Sequence, residues 1–120
     1  MRLTRYRALG ARGVRLKFPS RSWSGVRADD GAVILAMRAR DLRRDQRGSR
    51  CLLWPPHDTY PQAAMDRASR DERLKHCRLA ELRGGAEGRL AYGDDAVDAD
   101  VVLTLRVVRR GAQYWAEVGA

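Results

Sequence analysis

Four side chains of the kind that bind zinc or drive thiol chemistry stand in this chain: Cys51, His57, His76 and Cys77. A structural zinc site needs ligands in spaced pairs that can wrap a tetrahedron. His76 and Cys77 are neighbours, and on a helix neighbours project about 100° apart, so both cannot easily reach one ion. Neither a metal nor a cofactor is expected; Cys77 reads as a core residue and His76 as one on the wet face. A second constellation is acidic. Asp94, Asp95, Asp98 and Asp100 place four carboxylates within seven residues. Clustered oxygens suit hard cations, and two carboxylates on magnesium would make a small metal-dependent nuclease. The stretch lacks the glycine and terminal glutamate of an EF-hand, so a solvated loop is the plainer reading, with pairing to arginines elsewhere in the fold as another. Ser20, Ser22, Ser24, Ser49 and Ser69 lack a G-x-S-x-G context. The glycine-rich run Arg83–Gly88 follows a helix instead of opening one, so its amides lack the dipole that favours phosphate. No enzyme is expected.

What remains is positive charge. Residues 1–50 hold 14 Lys/Arg and four acids, a net of +10, against −1 for the rest of the chain. Such asymmetry points to an anionic partner. Nucleic-acid binders neutralise phosphates with Arg and Lys, and single-strand binders add aromatic rings on which bases stack. Here Arg15, Lys17 and Arg21 precede Trp23, while Arg38, Arg40, Arg43, Arg44, Arg47 and Arg50 precede Trp54. These nine cations, with Trp23 as a stacking ring in a Ser/Gly loop, are the candidate nucleic-acid contacts. Trp54 and Trp115 read as core. A bland alternative exists: 22 of the 24 basic residues are Arg, beside abundant Ala, Gly and Leu, which a GC-rich genome produces without selection for binding.

The elements that must carry these residues follow from periodicity. At 120 residues and 44% apolar content the chain reads as one domain, residues 1–120, able to bury a core without disulfides. Two cysteines are too few for a secreted scaffold, so reduced thiols in the cytoplasm are expected. No apolar run approaches the roughly 18 residues of a membrane span. The first 28 residues carry eight Lys/Arg and no acid but lack an apolar signal core, and are expected to belong to the fold. Leu3–Leu9 alternates loosely as a first strand, and Val14–Phe18 cleanly, with Val14, Leu16 and Phe18 inward. Asp29-Asp30-Gly31 turns the chain into a strand from Ala32 to Arg38, which hands it to an arginine-rich loop. Ser69 and Glu72 have capping-box spacing, predicting a helix over about 70–82 with Leu74, Cys77 and Leu82 inward, closed by Gly84-Gly85. Arg89–Tyr92 forms a short strand, Gly93–Asp100 an acidic loop, and Val101–Val108 the strongest strand. Arg109-Arg110-Gly111-Ala112 then turns it into Gln113–Val118. The fold class is α+β: a mostly antiparallel sheet of four to six strands with one principal helix on one face.

Three short stretches, Arg21-Ser22-Trp23-Ser24-Gly25 before Asp30-Gly31, Glu72-Arg73-Leu74 with His76-Cys77, and Tyr114-Trp115-Ala116-Glu117, share an order with a known group. The chain resembles small uncharacterised bacterial proteins that carry Trp-Ser-Trp-Ser-Gly before an Asp-Gly strand, with Arg21 here in place of the first tryptophan. No activity attaches to that group, so the resemblance transfers no role to these residues. The sequence therefore points to a non-enzymatic nucleic-acid-binding module of a bacterium or its mobile elements. The alternative partner is an acidic protein, gripped as by a regulator or inhibitor of a larger complex. Either reading requires the amino-terminal cations to lie together on one side of the fold.

Overall fold

Val33–Arg38 is a run of apolar residues ending in arginine, and all six are buried. A strand covered on both faces reads as continuous hydrophobicity instead of alternation, and this one is central. The computed structural model describes residues 2–16, 23–46, 48–55, 67–92 and 96–119. In chain order the elements are β1 (Arg2–Thr4), α1 (Arg5–Ala11), β2 (Ser24–Val26), β3 (Val33–Arg38), β4 (Arg43–Asp45), β5 (Gly48–Trp54), α2 (Arg67–Arg83), β6 (Ala86–Tyr92), β7 (Ala96–Asp98), β8 (Leu103–Arg110) and β9 (Gln113–Val118). A 3-10 turn at Ala39–Asp41 joins β3 to β4.

The class is α+β, with more strands than the four to six expected: nine among the described residues, in one sheet. β3 pairs β2 antiparallel and β6 parallel. β6 branches the sheet. β3 occupies one of its edges, so the other is left to β8 at Ala86–Gly88 and to β7 at Ala91–Tyr92. From β8 the ladder continues through β9 and β5 to β4, and from β7 to β1, all antiparallel.

Helix α2 covers one side. Cys77 and Ala80 pack with Val33, Leu35 and Met37 of β3, Cys51 and Leu53 of β5, Leu105 and Val107 of β8, and Tyr114 and Ala116 of β9. The opposite side of β3 is covered by α1, where Ala8 and Trp23 meet Ala36, Ala91 and Val97, and Leu9 meets Val14 and Ile34. The loose strand expected over Leu3–Leu9 is thus corrected to a three-residue strand and a helix. Thr4 caps that helix, its hydroxyl accepting from Arg7 N at 3.2 Å. The arginine-rich loop is also corrected, because β4 and β5 pair through it. Likewise the acidic loop contains β7, which pairs both β1 and β6.

Helix α2 ends as its glycines require. Gly84 has φ +79°, Gly84 N donates to Glu81 O and Gly85 N to Ala80 O, the double closure of a Schellman motif. It begins by Arg67, so Ser69 sits inside the first turn instead of capping it. Its inward face is another correction: Leu82 is 84% exposed, whereas Arg73 and His76 are buried. At 3.6 residues per turn Ser69, Arg73, His76, Cys77 and Ala80 share one stripe. Three of the five, Ser69, Arg73 and His76, carry a polar group that must find partners inside.

Arg73 finds them on the sheet. The β5–β9 register shifts between Leu52 and Trp54, which leaves Leu53 outside the ladder pairs. Arg73 Nε donates to Leu53 O at 3.2 Å, and Nη1 donates to Trp23 O at 2.8 Å. The guanidinium so binds the chain just before β2 to the bulge of β5. Trp23 O also accepts from Ala36 N, so replacing Arg73 by Lys, a point donor instead of a planar fork, or by Leu, chiefly deprives the Leu53 carbonyl, at a cost of about 1–3 kcal/mol. Urea midpoints for Arg73→Lys and Arg73→Leu are expected to fall accordingly, with little change in slope.

Candidate nucleic-acid interface

The solvent face of β4, β5, β9 and β8 is set by pairing. Residues directly opposite across strands point the same way. Cys51, Ala116 and Val107 form one cross-strand row and all are buried against α2. Their neighbours must turn outward. One outward row is Arg43, Arg50, Glu117 and Arg106, crossing all four strands. The next is Leu52, Trp115 and Val108, and the last is Gln113 with Arg110. An apolar strip with one indole therefore runs between two rows that contain arginine.

A groove of about 360 Å³ follows this face, with Arg50, Arg106, Arg110, Val108, Trp115 and Glu117 in its wall. A second hollow of about 200 Å³ adjoins it, lined by Asp41, Arg43, Arg50, Leu52 and Trp115. The Arg50 guanidinium stands over the Trp115 ring at 5.4 Å. Arg106 approaches Glu117 at 3.8 Å, with side chains 74% and 42% exposed, a geometry that contributes little in water. Among the described side chains, four guanidinium groups thus face two carboxylates, Asp41 and Glu117. Arg43 and Arg50 lie directly opposite each other; like charges so placed oppose the pairing and favour an arriving anion.

The sequence-derived candidates divide across the molecule. Arg43 and Arg50 belong to this face. Arg44 alternates to the other side of β4, opposite Ser49, and Arg40 is exposed on the 3-10 turn. Arg15 is exposed beside the Val14–Arg27 bridge, at the β2 end of the strand path, far along the sheet from β4. Lys17, Arg21 and Arg47 lie outside the described residues, as do His57, Asp94 and Asp95. Two candidates are corrected outright. Arg38 is 5% exposed and Trp23 only 1%, the indole sandwiched between Arg5, 4.3 Å from its ring, and the α1-side core. Trp23 is not a stacking ring; Trp115, expected in the core, is the indole on the open face. The described amino-terminal cations do not gather on one side, so the basis the sequence offered for an anionic partner fails, and such a reading has to rest instead on arginines that the fold brings together from both halves of the chain.

Other arginines of the first half are engaged. Arg12 and Arg27 both bind Glu87, and Arg27 reaches Asp30 at 3.1 Å. Burial pushes the Glu87 carboxyl up, but the Arg12 hydrogen bond and the charges of Arg12, Arg27 and Arg89 outweigh it and hold the group below the usual range. Asp98, one of the acidic cluster, uses Oδ1 to accept from Asp100 N at 3.0 Å. Arg106 and Arg110, which the sequence reading passed over, come from the half with no net positive charge. The two-residue alternation of Val101–Val108 already set Arg106 opposite Leu105 and Val107. Only the pairing of β8 with β9 and β5 shows that it shares a face with Arg50.

Among the described residues Cys51, Cys77, His76 and Ser24 all lie in the interior. Ser24 Oγ and His76 Nδ1 are 2.6 Å apart, with Ser24 1% and His76 7% exposed. No substrate carbonyl reaches such a hydroxyl, so the pair is a bond between β2 and α2 and not a nucleophile with its base. His76 is thereby corrected from the wet face to the core. Burial pushes the Cys51 thiol up to about 11 and the Cys77 thiol also up, despite the nearby Arg73 charge; thiols so placed are poor nucleophiles. Among the described residues no three His, Cys, Asp or Glu side chains lie together as a metal site, and no helix is long and apolar enough to cross a membrane. The chain matches no family model, no curated protein and no solved structure.

Burial, with Arg73 and Lys75 adding to it, lowers His76 from about 6.5 to about 4. The folded form therefore keeps the ring neutral while the unfolded chain takes up a proton. Stability from this site is complete above the unfolded value and is lost as pH falls from about 6.5 through about 4, on the order of 3 kcal/mol in total. Comparing wild type with His76→Asn, which retains an acceptor for Ser24, is expected to show a shallower pH dependence in the variant across that window. Denaturant titrations at several pH values measure it.

Proposed function

We propose that this protein is a non-enzymatic nucleic-acid-binding module that works in the cytoplasm and contacts phosphates through Arg43, Arg50, Arg106 and Arg110. The observation that carries the reading is the cross-strand row Arg43–Arg50–Glu117–Arg106 beside Trp115 on the outer face of the sheet. Guanidinium groups match phosphate geometry, and their binding releases counterions from the polyanion. Arg15 and Arg40 contribute at longer range to the field and are not part of the groove.

One observation favours a second reading. Leu52, Trp115 and Val108 make the centre of the face apolar, and Trp with Arg is the composition of protein-binding hot spots. An acidic protein surface would then be the partner. A stable protein complex that survives nuclease treatment, together with no affinity for oligonucleotides, identifies that case.

The test is electrostatic. Binding of labelled single- and double-stranded oligonucleotides, followed by anisotropy, is expected to weaken steeply with salt. Arg50→Ala with Arg106→Ala is expected to reduce the log–log salt slope by about 1.4, two contacts' worth on a single strand. Failure to bind either form at low salt overturns the proposal.

A further inference from the structure

From the same face, and resting on the nucleic-acid reading above, we infer that the preferred ligand is single-stranded, with an unpaired base stacked on Trp115 and its phosphates on the arginine row. The rows have the layout of a nucleotide laid across strands. Neighbouring strands are about 4.8 Å apart, so Arg43 to Arg106 spans about 14 Å across the sheet. Trp115 lies two residues from Glu117 along β9, about 7 Å to one side of that row. A strand running along the arginines therefore presents its bases to the strip of Leu52, Trp115 and Val108. Arg110, beyond Val108 on β8, closes the far side of the strip.

A duplex cannot use this layout. Its bases are stacked on one another and paired, so no π-face is free to meet an indole lying in a sheet. Reading a duplex groove requires a projecting helix or ribbon, and α2 packs on the opposite side of these four strands, through Cys77 and Ala80 against Cys51, Leu53, Val107 and Ala116. The two hollows, about 360 and 200 Å³, share Arg50 and Trp115, and the larger reaches small-ligand size. Arg50 stands over the ring at 5.4 Å. Stacking of a base on an aromatic ring is worth more than an exposed cation–π contact. Charge attracts the polyanion and the indole selects the unpaired form.

Oligo(dT), oligo(rU) and a duplex of equal length, each titrated into the wild-type protein at low salt, test this directly. At least one single strand is expected to bind about tenfold or more tightly than the duplex, and the two single-stranded arms tell DNA from RNA. Trp115→Leu, which keeps apolar cover but removes the π-face, is expected to weaken single-strand binding about tenfold with no change in salt slope, and Trp115→Phe to recover most of it. Duplex binding as tight as single-strand binding overturns the inference while leaving the nucleic-acid reading in place. Equal affinity of wild type and a folded Trp115→Leu overturns it too, and the wild-type duplex comparison decides should that variant not fold. No binding by any of the three ends both readings.

Discussion

A guanidinium inside the core holds the two halves of this fold in register. Arg73 sits on the inward stripe of α2 and donates to carbonyls before β2 and at the bulge of β5. The requirement is strict because a buried carbonyl without a donor is costly. Everything packed between those carbonyls has to be placed accordingly: Cys77 and Ala80 below, β3 in the middle, and the β5–β9 ladder that carries the outer face. Ser24 and His76 repeat the device one helical turn on. Two polar contacts thus orient α2 on a sheet whose apolar side alone would tolerate sliding.

The bulge that frees Leu53 for Arg73 also shapes the candidate interface. Beyond it, Trp54 packs on the helix-side core and donates from Nε1 to Arg70 O at 3.3 Å. Before it, the alternation from Gly48 to Leu52 is unbroken, so Arg50 and Leu52 point outward beside Trp115. The inner demand and the outer face share one strand. The three tryptophans consequently have three environments: Trp23 under Arg5, Trp54 against α2, and Trp115 on the solvent side beneath Arg50.

Charge is redistributed by the same topology. Arg12 and Arg27 meet Glu87 of β6 across a wide gap in sequence, and Arg38 is buried with the rest of β3. The net positive first half of the chain accordingly presents only part of its charge in one place. The carboxyl-terminal hairpin restores it, since β8 and β9 bring Arg106 and Arg110 alongside Arg50. A net charge summed over sequence windows cannot register this, because Coulomb attraction and screening depend on separation in space.

Much of the scaffold was legible in local pattern. The apolar run of β3, the alternation of β8, the Gly111 turn into β9 and the glycine closure of α2 are short-range signals, and each element lies within a few residues of where those signals put it. The inward face of α2 was not legible, because His76 reads as solvent-facing and Arg73 gives no apolar signal until their hydroxyl and carbonyl partners are known. The Ser24-Gly25 pair looked like an exposed loop for the same reason. In the fold Ser24 bonds His76, and a Cβ on Gly25 would overlap Val14. By itself the sequence determined the class, the principal helix and the alternation that turns Arg106 away from the core. Tertiary structure alone decided which arginines are neighbours and which indole faces water, because cross-strand register joins residues far apart in the chain, and no local period records which strands will pair.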